Sequence, residues 1–142
     1  MLLFALIFAV GCAKSNDSQT YKQDNKIEGH IVHITSKGFY PRTITINAGE
    51  VIIWANDDLD RHWVASASHP VHDAYPGAKY DEPGSYQGTR SCIAEGNPKT
   101  GAFDACRELK QGEIYSFNFT HAGTWQYHDH TDYNLIGSVI VK

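Results

Sequence analysis

The chain has 142 residues, of which 42% are hydrophobic and 12% aromatic, so it is long enough for one domain with a sizeable core. Its formal net charge is −4, and it contains no run of basic residues. Because nucleic-acid binding needs a positive surface that neutralises phosphates, this composition argues against a nucleic-acid partner.

The first eleven residues, MLLFALIFAVG, are uncharged and directly precede Cys12. The run is too short to span a membrane, which takes about 20 residues, and is typical of a secretory signal, although no Lys or Arg precedes it. FAVGC is similar to a bacterial lipobox, whose cysteine is lipidated. We therefore expect residues 1–11 to be a lipoprotein-type signal peptide and Cys12 to carry the lipid anchor to the membrane. A plain cleaved signal and a buried N-terminal strand are the alternatives.

The cysteines also favour an exported protein. Residues 12–26 are polar and nearly free of aliphatic side chains, which predicts a flexible tether before an ordered domain at 27–142. The chain has three cysteines. If Cys12 carries a lipid, Cys92 and Cys106 remain as a pair, and outside the cytoplasm we expect them to form a disulfide. Two unpaired buried thiols are the alternative.

The domain is dominated by strand patterns. Between residues 27 and 57, β-branched residues lie between Gly, Pro and Asn residues, which predicts three strands, and VIIW at 51–54 predicts a central strand buried on both faces. RHWVAS at 61–66 predicts a fourth strand. EIYSFNFTHAGTWQYH at 113–128 predicts a hairpin that turns at Gly123, and GSVIVK at 137–142 closes the sheet. Trp54 and Trp63 are expected in the core.

These short strands imply an all-β protein, either a two-sheet sandwich or a barrel, and we expect an antiparallel Greek-key β-sandwich without a long helix. The strand pattern stops at about 66–112, in a stretch that holds every proline of the chain except Pro41. Loops of that length are uncommon and usually functional. We therefore expect a long insertion loop that the disulfide between Cys92 and Cys106 closes.

Five of the eight histidines fall in two short segments, RHWVASASHPVHDAYP and YHDH. Imidazole is a common ligand for zinc, copper, nickel and iron. This clustering predicts a metal site that uses His62 with at least two of four others, which are His69, His72, His128 and His130. A solvated polar rim of histidines is the alternative. The remaining histidines, His30, His33 and His121, are expected at the surface or on a sheet face.

Several motifs resemble those of the cupredoxins, the plastocyanin and azurin family. Asn56-Asp57 precedes H-x-V at residues 62–64, and F-x-F, G-T-x-x-Y and G-x-x-x-V follow one another between residues 117 and 141. The resemblance covers roughly residues 27–142 apart from the insertion. It implies a Greek-key sandwich, with copper held by one histidine after the N-D motif and by Cys, His and Met near the last loop.

Only His62 matches a copper ligand of that family. The resemblance places Asp129 at the Cys position, Asp132 at the second His position and Leu135 at the Met position. Without a thiolate there is no copper–thiolate bond, so the site cannot be an ordinary blue-copper site. The nearby histidines favour replaced ligands over a lost metal. Asp129 is then either a ligand or an acceptor that orients an imidazole.

Strand alternation constrains these replacements. Successive residues of a strand face opposite sides, so Trp125, Tyr127 and Asp129 should face the core, with Asp129 near His62. His128 and His130 should face the other side. The segment HPVH at 69–72 could fold across the open end of the sandwich and bring its histidines to either group.

Imidazoles with one carboxylate suit Cu(II) or Zn(II). From the signal-like residues 1–11 and the lipobox-like FAVGC, we expect an extracytoplasmic, membrane-anchored lipoprotein, in the periplasm or on the outer cell surface. It would bind copper, or alternatively zinc, for metal handling or electron transfer, with a redox or metal-delivery protein as partner. A metal-dependent enzyme at the histidine cluster is one alternative, although the sequence contains no other catalytic constellation. A metal-free β-sandwich interaction module is another.

Overall fold

The computed structural model describes residues 28–67, 69, 72–76, 91–94, 97–98 and 101–142. The predicted signal peptide, the tether and Cys12 lie outside the described residues. Within these ranges there is no helix, and hence none that is long and apolar enough to cross a membrane.

The described residues form a sandwich of two four-stranded sheets and one small hairpin. Sheet I has the strand order β2-β1-β4-β8, and sheet II has the order β3-β10-β9-β5. The all-β sandwich predicted from the sequence is confirmed. In chain order the strands are β1 (His30–Thr35), β2 (Gly38–Tyr40), β3 (Thr43–Ile46), β4 (Val51–Asn56), β5 (Val64–Ser66), β6 (Cys92–Ala94), β7 (Asn97–Pro98), β8 (Ile114–Asn118), β9 (Gly123–Asp129) and β10 (Ile136–Val141).

Two strand pairs correct the expectation of antiparallel sheets. β1 pairs parallel with β4, and β3 pairs parallel with β10, so both sheets are mixed. Parallel neighbours need a crossover connection, and the chain supplies one by leaving sheet I for β3 and returning to it at β4. Alternation of apolar and polar residues reports which face is buried. It does not report the direction of the neighbouring strand.

The predicted hairpin at residues 113–128 is also wrong. β8 pairs with β4 in sheet I, whereas β9 pairs with β5 and β10 in sheet II, so the chain crosses between the sheets at residues 119–122. Both strands turn their aromatic residues towards one shared core. A crossover and a hairpin therefore produce the same sequence pattern.

The core between the sheets is rich in aromatic rings. Trp54 is fully buried on the central strand β4, as its pattern predicts, and its ring lies 5.2 Å from that of Phe103 and 5.3 Å from that of Tyr127. Phe103, Tyr75 and Leu109 come from the insertion yet belong to this core. The insertion is therefore packed onto the sandwich rather than extended from it.

The insertion is attached to the edge of sheet II. The Ser66 amide donates to the Phe103 carbonyl at 2.8 Å and the Ala105 amide donates to the Val64 carbonyl at 2.9 Å, so residues 103–105 extend sheet II beyond β5. The predicted disulfide between Cys92 and Cys106 is present and closes this part of the insertion.

Candidate metal centre

Three paired residues form a row across the outer face of sheet II, and this row is the base of the candidate site. Ala65 of β5 lies opposite His128 of β9 on one side and opposite Asp104 on the other. Directly paired residues share a face of the sheet, so these three side chains point the same way. Phe103, next to Asp104, points into the core. Because Ala65 is small, the row leaves space above its centre.

The insertion places His72 on this row. The His72 Nδ1 atom lies 2.6 Å from the Asp104 Oδ2 atom, and the His72 and His128 ring centroids are 4.9 Å apart. His72 is fully buried. Since it contacts both outer members of the row, we infer that its ring lies over Ala65.

Four imidazoles meet at this point. One nitrogen of each lies within 4.8 Å of the others, and the group combines two residues from the insertion with two from the end of β9. His128 and His130 share the outer face, as strand alternation predicts. The rings of His69 and His130 are 4.9 Å apart, and the His130 Nδ1 atom lies 3.2 Å from the His72 Nε2 atom. We call this group the four-histidine cluster: His69, His72, His128 and His130.

The cluster is buried at its base and open at its rim. His128 is only 4% exposed, and its Nε2 atom is buried without a hydrogen-bond partner among the described residues. His69 is exposed. A buried imidazole nitrogen without a partner is costly, and a metal ion would provide the missing interaction.

The surroundings of the cluster favour the neutral forms of His128 and His130. Burial, followed by repulsion from the neighbouring imidazoles of His72 and His69, lowers the pKa of His128 to about 4. Burial and the same neighbours also lower the pKa of His130. Metal ligation requires the neutral imidazole, so at neutral pH these two residues are ready to bind a cation.

Asp104 anchors the cluster from below. Its Oδ2 atom accepts hydrogen bonds from His72 Nδ1 and the Ser91 hydroxyl, and its Oδ1 atom accepts from Trp63 Nε1 at 2.6 Å and the Cys106 amide at 2.8 Å. Burial alone would raise the pKa of this carboxyl, but these hydrogen bonds outweigh burial and the pKa is lowered. Asp104 is therefore ionised at neutral pH.

Trp63 lies beside the cluster rather than in the core. Its ring centroid is 4.5 Å from that of His130, and the His130 amide donates to the Trp63 carbonyl at 2.7 Å. The expectation that Trp63 is a core residue is wrong, because it shares the outward parity of Ala65. Its indole closes one side of the cluster.

His62 and Asp129 lie in a different group. The His62 Nδ1 atom is 2.5 Å from the Asp129 Oδ2 atom, and the His62 Nε2 atom is 3.4 Å from the Asp58 Oδ2 atom. Asp129 also accepts hydrogen bonds from the Trp63 and Thr131 amides, both at 2.9 Å, and from the Thr131 hydroxyl at 2.8 Å. Its oxygen atoms are therefore already satisfied by protein donors.

A cavity of about 300 Å³ borders this second group, and its lining includes His62, Asp132 and Leu135. Asp132 accepts hydrogen bonds from the Asn134 amide and side chain, which stabilise the local turn. The structure thus separates the six histidines and aspartates that the sequence singled out into two sets. Four histidines form the cluster, whereas His62 and Asp129 form a hydrogen-bonded pair on the core side of β9.

No protein-family model matches this chain. Solved structures do match it. A copper(I) form of an amicyanin variant aligns with a TM-score of 0.54 and 18% identity over 80% of this chain and 82% of that chain. A purple cupredoxin from Nitrosopumilus maritimus aligns with a TM-score of 0.54 and 16% identity over 80% of this chain and 99% of that chain. A second amicyanin variant reaches a TM-score of 0.55 over 82% and 87% of the two chains.

The chain has a cupredoxin-like fold. The four positions of this chain that the resemblance matches to cupredoxin copper ligands lie close together in the structure. His62 pairs with Asp129, and Asp132 and Leu135 line the adjoining cavity. None of the three replacing side chains offers a sulfur or a second imidazole, and Asp129 is saturated with protein donors, so this position does not fit a blue-copper ion.

The four-histidine cluster does fit a metal ion. It offers four imidazole nitrogens, a donor set that copper and zinc accept. In addition, the Nε2 atom of His128 is buried without a hydrogen-bond partner among the described residues. No thiolate competes for the ion among the described residues, because Cys92 and Cys106 are joined in a disulfide.

Sequence reasoning missed Asp104, Ser91 and the role of Trp63. One signal was available for Asp104, because it is the only charged residue in the apolar segment GAFDAC, which ends at Cys106. An isolated carboxylate in an apolar segment is rarely buried without partners. Ser91 gave no such signal.

Proposed function

We propose that this chain is a copper-binding protein with a cupredoxin-like fold, in which the four-histidine cluster holds the metal. The observation that carries the proposal is the convergence of four imidazole nitrogens within 4.8 Å. The Nε2 atom of His128 adds to it, because it is buried and has no hydrogen-bond partner in the part of the chain that the structure describes. Among divalent ions of the first transition row, copper binds most strongly to nitrogen donors. Zinc remains the alternative ion.

The donor set favours metal handling or slow electron transfer. Four imidazole nitrogen donors favour Cu(II), and the copper–thiolate bond that characterises blue-copper electron-transfer sites has no counterpart among the described residues. When bound, copper would supply a one-electron centre. The protein residues hold it, exclude water at His72 and His128, and leave the His69 side open to solvent or to a redox or metal-delivery protein.

We also propose that the protein works outside the cytoplasm, anchored to the membrane through a lipid on Cys12. The apolar residues 1–11 and the lipobox-like FAVGC support this proposal. The disulfide between Cys92 and Cys106 supports it as well, because such bonds persist in oxidising compartments.

The proposal is tested by metal analysis of protein purified without a histidine tag. We expect one equivalent of copper, weak visible absorption, and nitrogen hyperfine structure in the electron paramagnetic resonance spectrum. A competition titration should show that zinc binds more weakly. His128→Ala should abolish tight binding, whereas His33→Ala, which changes an exposed histidine paired with Asp57, should leave it unchanged. Protein that binds neither ion would leave the metal-free interaction module as the better description.

A further inference from the structure

We propose that Asp104 is the positioning residue of the four-histidine cluster: it keeps the His72 proton on Nδ1 and thereby directs Nε2 to the metal. This inference rests on the proposed metal-binding function and adds a residue through which the insertion controls it. Asp104 does not belong to the ligand set, because its two oxygens are occupied by protein donors.

The first support is the count of donors around the carboxylate. The Trp63 indole and the Cys106 amide can only donate, and both point at Oδ1. Ser91 and His72 converge on Oδ2. An ionised carboxylate accepts about four hydrogen bonds and donates none, so Asp104 is saturated, and His72 must donate through Nδ1.

The second support is the geometry of His72. With Nδ1 donating to Asp104, its Nε2 atom carries the free lone pair, and this atom faces the Nδ1 atom of His130 at 3.2 Å. A carboxylate that holds the remote nitrogen of a ligating histidine fixes both its tautomer and its ring orientation. Asp104 stands in that relation to His72.

The third support is the backbone on both sides of this contact. His72 and Cys106 are the two described non-glycine residues with positive φ, at 57° and 54°. Residues that are not glycine pay a cost in this conformation, and such residues concentrate at functional sites. Here one of them presents Nδ1 to Asp104, and the other presents its amide to Asp104.

The disulfide belongs to the same construction. Ser91 and Cys106 both hydrogen-bond Asp104, and the disulfide joins Cys106 to Cys92, the neighbour of Ser91. The bond therefore holds two of the four donors in place. The disulfide thereby helps to position the Asp104 carboxylate, and the carboxylate in turn orients the His72 ring.

The first experiment needs no metal and no variant. A long-range proton–nitrogen correlation spectrum of the apoprotein shows which nitrogen of His72 carries the proton. We expect a single tautomer protonated on Nδ1. A proton on Nε2, or rapid averaging between the two nitrogens, would overturn the inference. This result is independent of whether copper binds.

The second experiment measures copper affinity in a double-mutant cycle. Asp104→Asn should weaken copper binding about 10-to-100-fold, as is typical for partners of metal-ligating histidines. In a His72→Ala background, Asp104→Asn should have no further effect, because the carboxylate acts through that imidazole. An equal loss in both backgrounds would show that Asp104 acts only on the fold.

The matched control is Asp73→Asn, which removes the same charge from an exposed residue adjacent to His72. Its affinity and its His72 tautomer should equal those of the wild type. If Asp104→Asn does not fold, Ser91→Ala is used instead, because it removes one donor to the Oδ2 atom of Asp104. The His72 nitrogen resonances should then shift towards the average of the two tautomers. Wild-type protein that fails to bind copper but shows the fixed tautomer would remove the proposed function and leave the Asp104 contact standing.

Discussion

The Nε2 atom of His72 and the Nδ1 atom of His130 lie 3.2 Å apart, although 58 positions separate the two residues in the chain. One comes from the insertion and the other follows β9. Two ring nitrogens at this distance either share one proton or face a common cation. The four-histidine cluster therefore depends on the insertion being docked against sheet II.

His130→Ala should weaken copper binding more than 100-fold, because loss of an inner ligand exceeds the 10-to-100-fold cost of an outer partner. Calorimetric titration with Cu(II) measures this effect. His33→Ala is the control, since His33 is exposed and paired with Asp57 on sheet I. Equal affinities for the two variants would mean that the histidines form only a polar rim.

His62→Ala should lower the stability of the protein rather than its affinity for copper. We expect copper affinity close to that of the wild type, because His62 pairs with Asp129 and does not belong to the cluster. The free energy of unfolding should fall by about 1–3 kcal/mol, the cost of leaving a buried acceptor without its hydrogen-bond partner. Denaturant unfolding of the apoprotein measures that change. A large loss of copper affinity with unchanged stability would return His62 to the ligand set.

Much of the sandwich could be predicted from the sequence, because alternation along a strand records which side is buried. The burial of VIIW in β4 and the opposite facing of His128 and Asp129 both follow from a period of two. The pairing direction of β1 with β4 does not follow, since it depends on where the chain changes sheet.

The composition of the site was harder to predict for a different reason. His62 was grouped with the other histidines for two reasons: His69 is only seven positions away in the chain, and His62 matches a copper ligand of the cupredoxins. In the fold, residues of opposite parity on β5 and β9 face opposite sides of sheet II. Asp104 joins the site only through the pairing of residues 103–105 with β5, and no local pattern encodes that contact.

Replacing both Cys92 and Cys106 by serine should lower the free energy of unfolding by about 3 kcal/mol, the chain-entropy value for a loop near 15 residues. The bond spans a sequence separation of 14. Because Cys106 and Ser91 hold Asp104, copper affinity should also fall. Thermal unfolding with and without Cu(II) measures both effects. A variant that loses stability but keeps full copper affinity would separate the disulfide from the metal centre.

Stability should decrease at alkaline pH because of Tyr127. Burial raises the pKa of its hydroxyl from 10.0 to about 12, despite the Trp54 side chain nearby, which lowers it. Stabilisation from a raised pKa is complete below pH 10 and is lost as the pH rises towards 12, by about 3 kcal/mol for two units. Denaturant unfolding between pH 9 and 12 should show this decrease, and Tyr127→Phe should reduce it. Tyr133→Phe, at an exposed tyrosine, should not.

Ala65→Val tests the space above the row on sheet II. Ala65 lies between His128 and Asp104 on the outer face, and His72 contacts both neighbours. Valine suits a strand, so the backbone should tolerate the change. Its two extra methyl groups should displace the His72 ring, and overpacking of about 1–3 kcal/mol, if it falls on the metal-bound state, corresponds to a loss of copper affinity of roughly 5- to 150-fold.

Ala55→Val is the control for this change, because Ala55 lies in β4 of sheet I, away from the cluster. Both variants are compared by Cu(II) titration and by the nitrogen hyperfine structure of the bound ion. Ala55→Val should match the wild type in both measurements. If Ala65→Val also matches it, then His72 either does not lie over Ala65 or does not bind the metal. In the second case the ligand set reduces to His69, His128 and His130, and His72→Ala, which would then keep the wild-type affinity, separates the two cases.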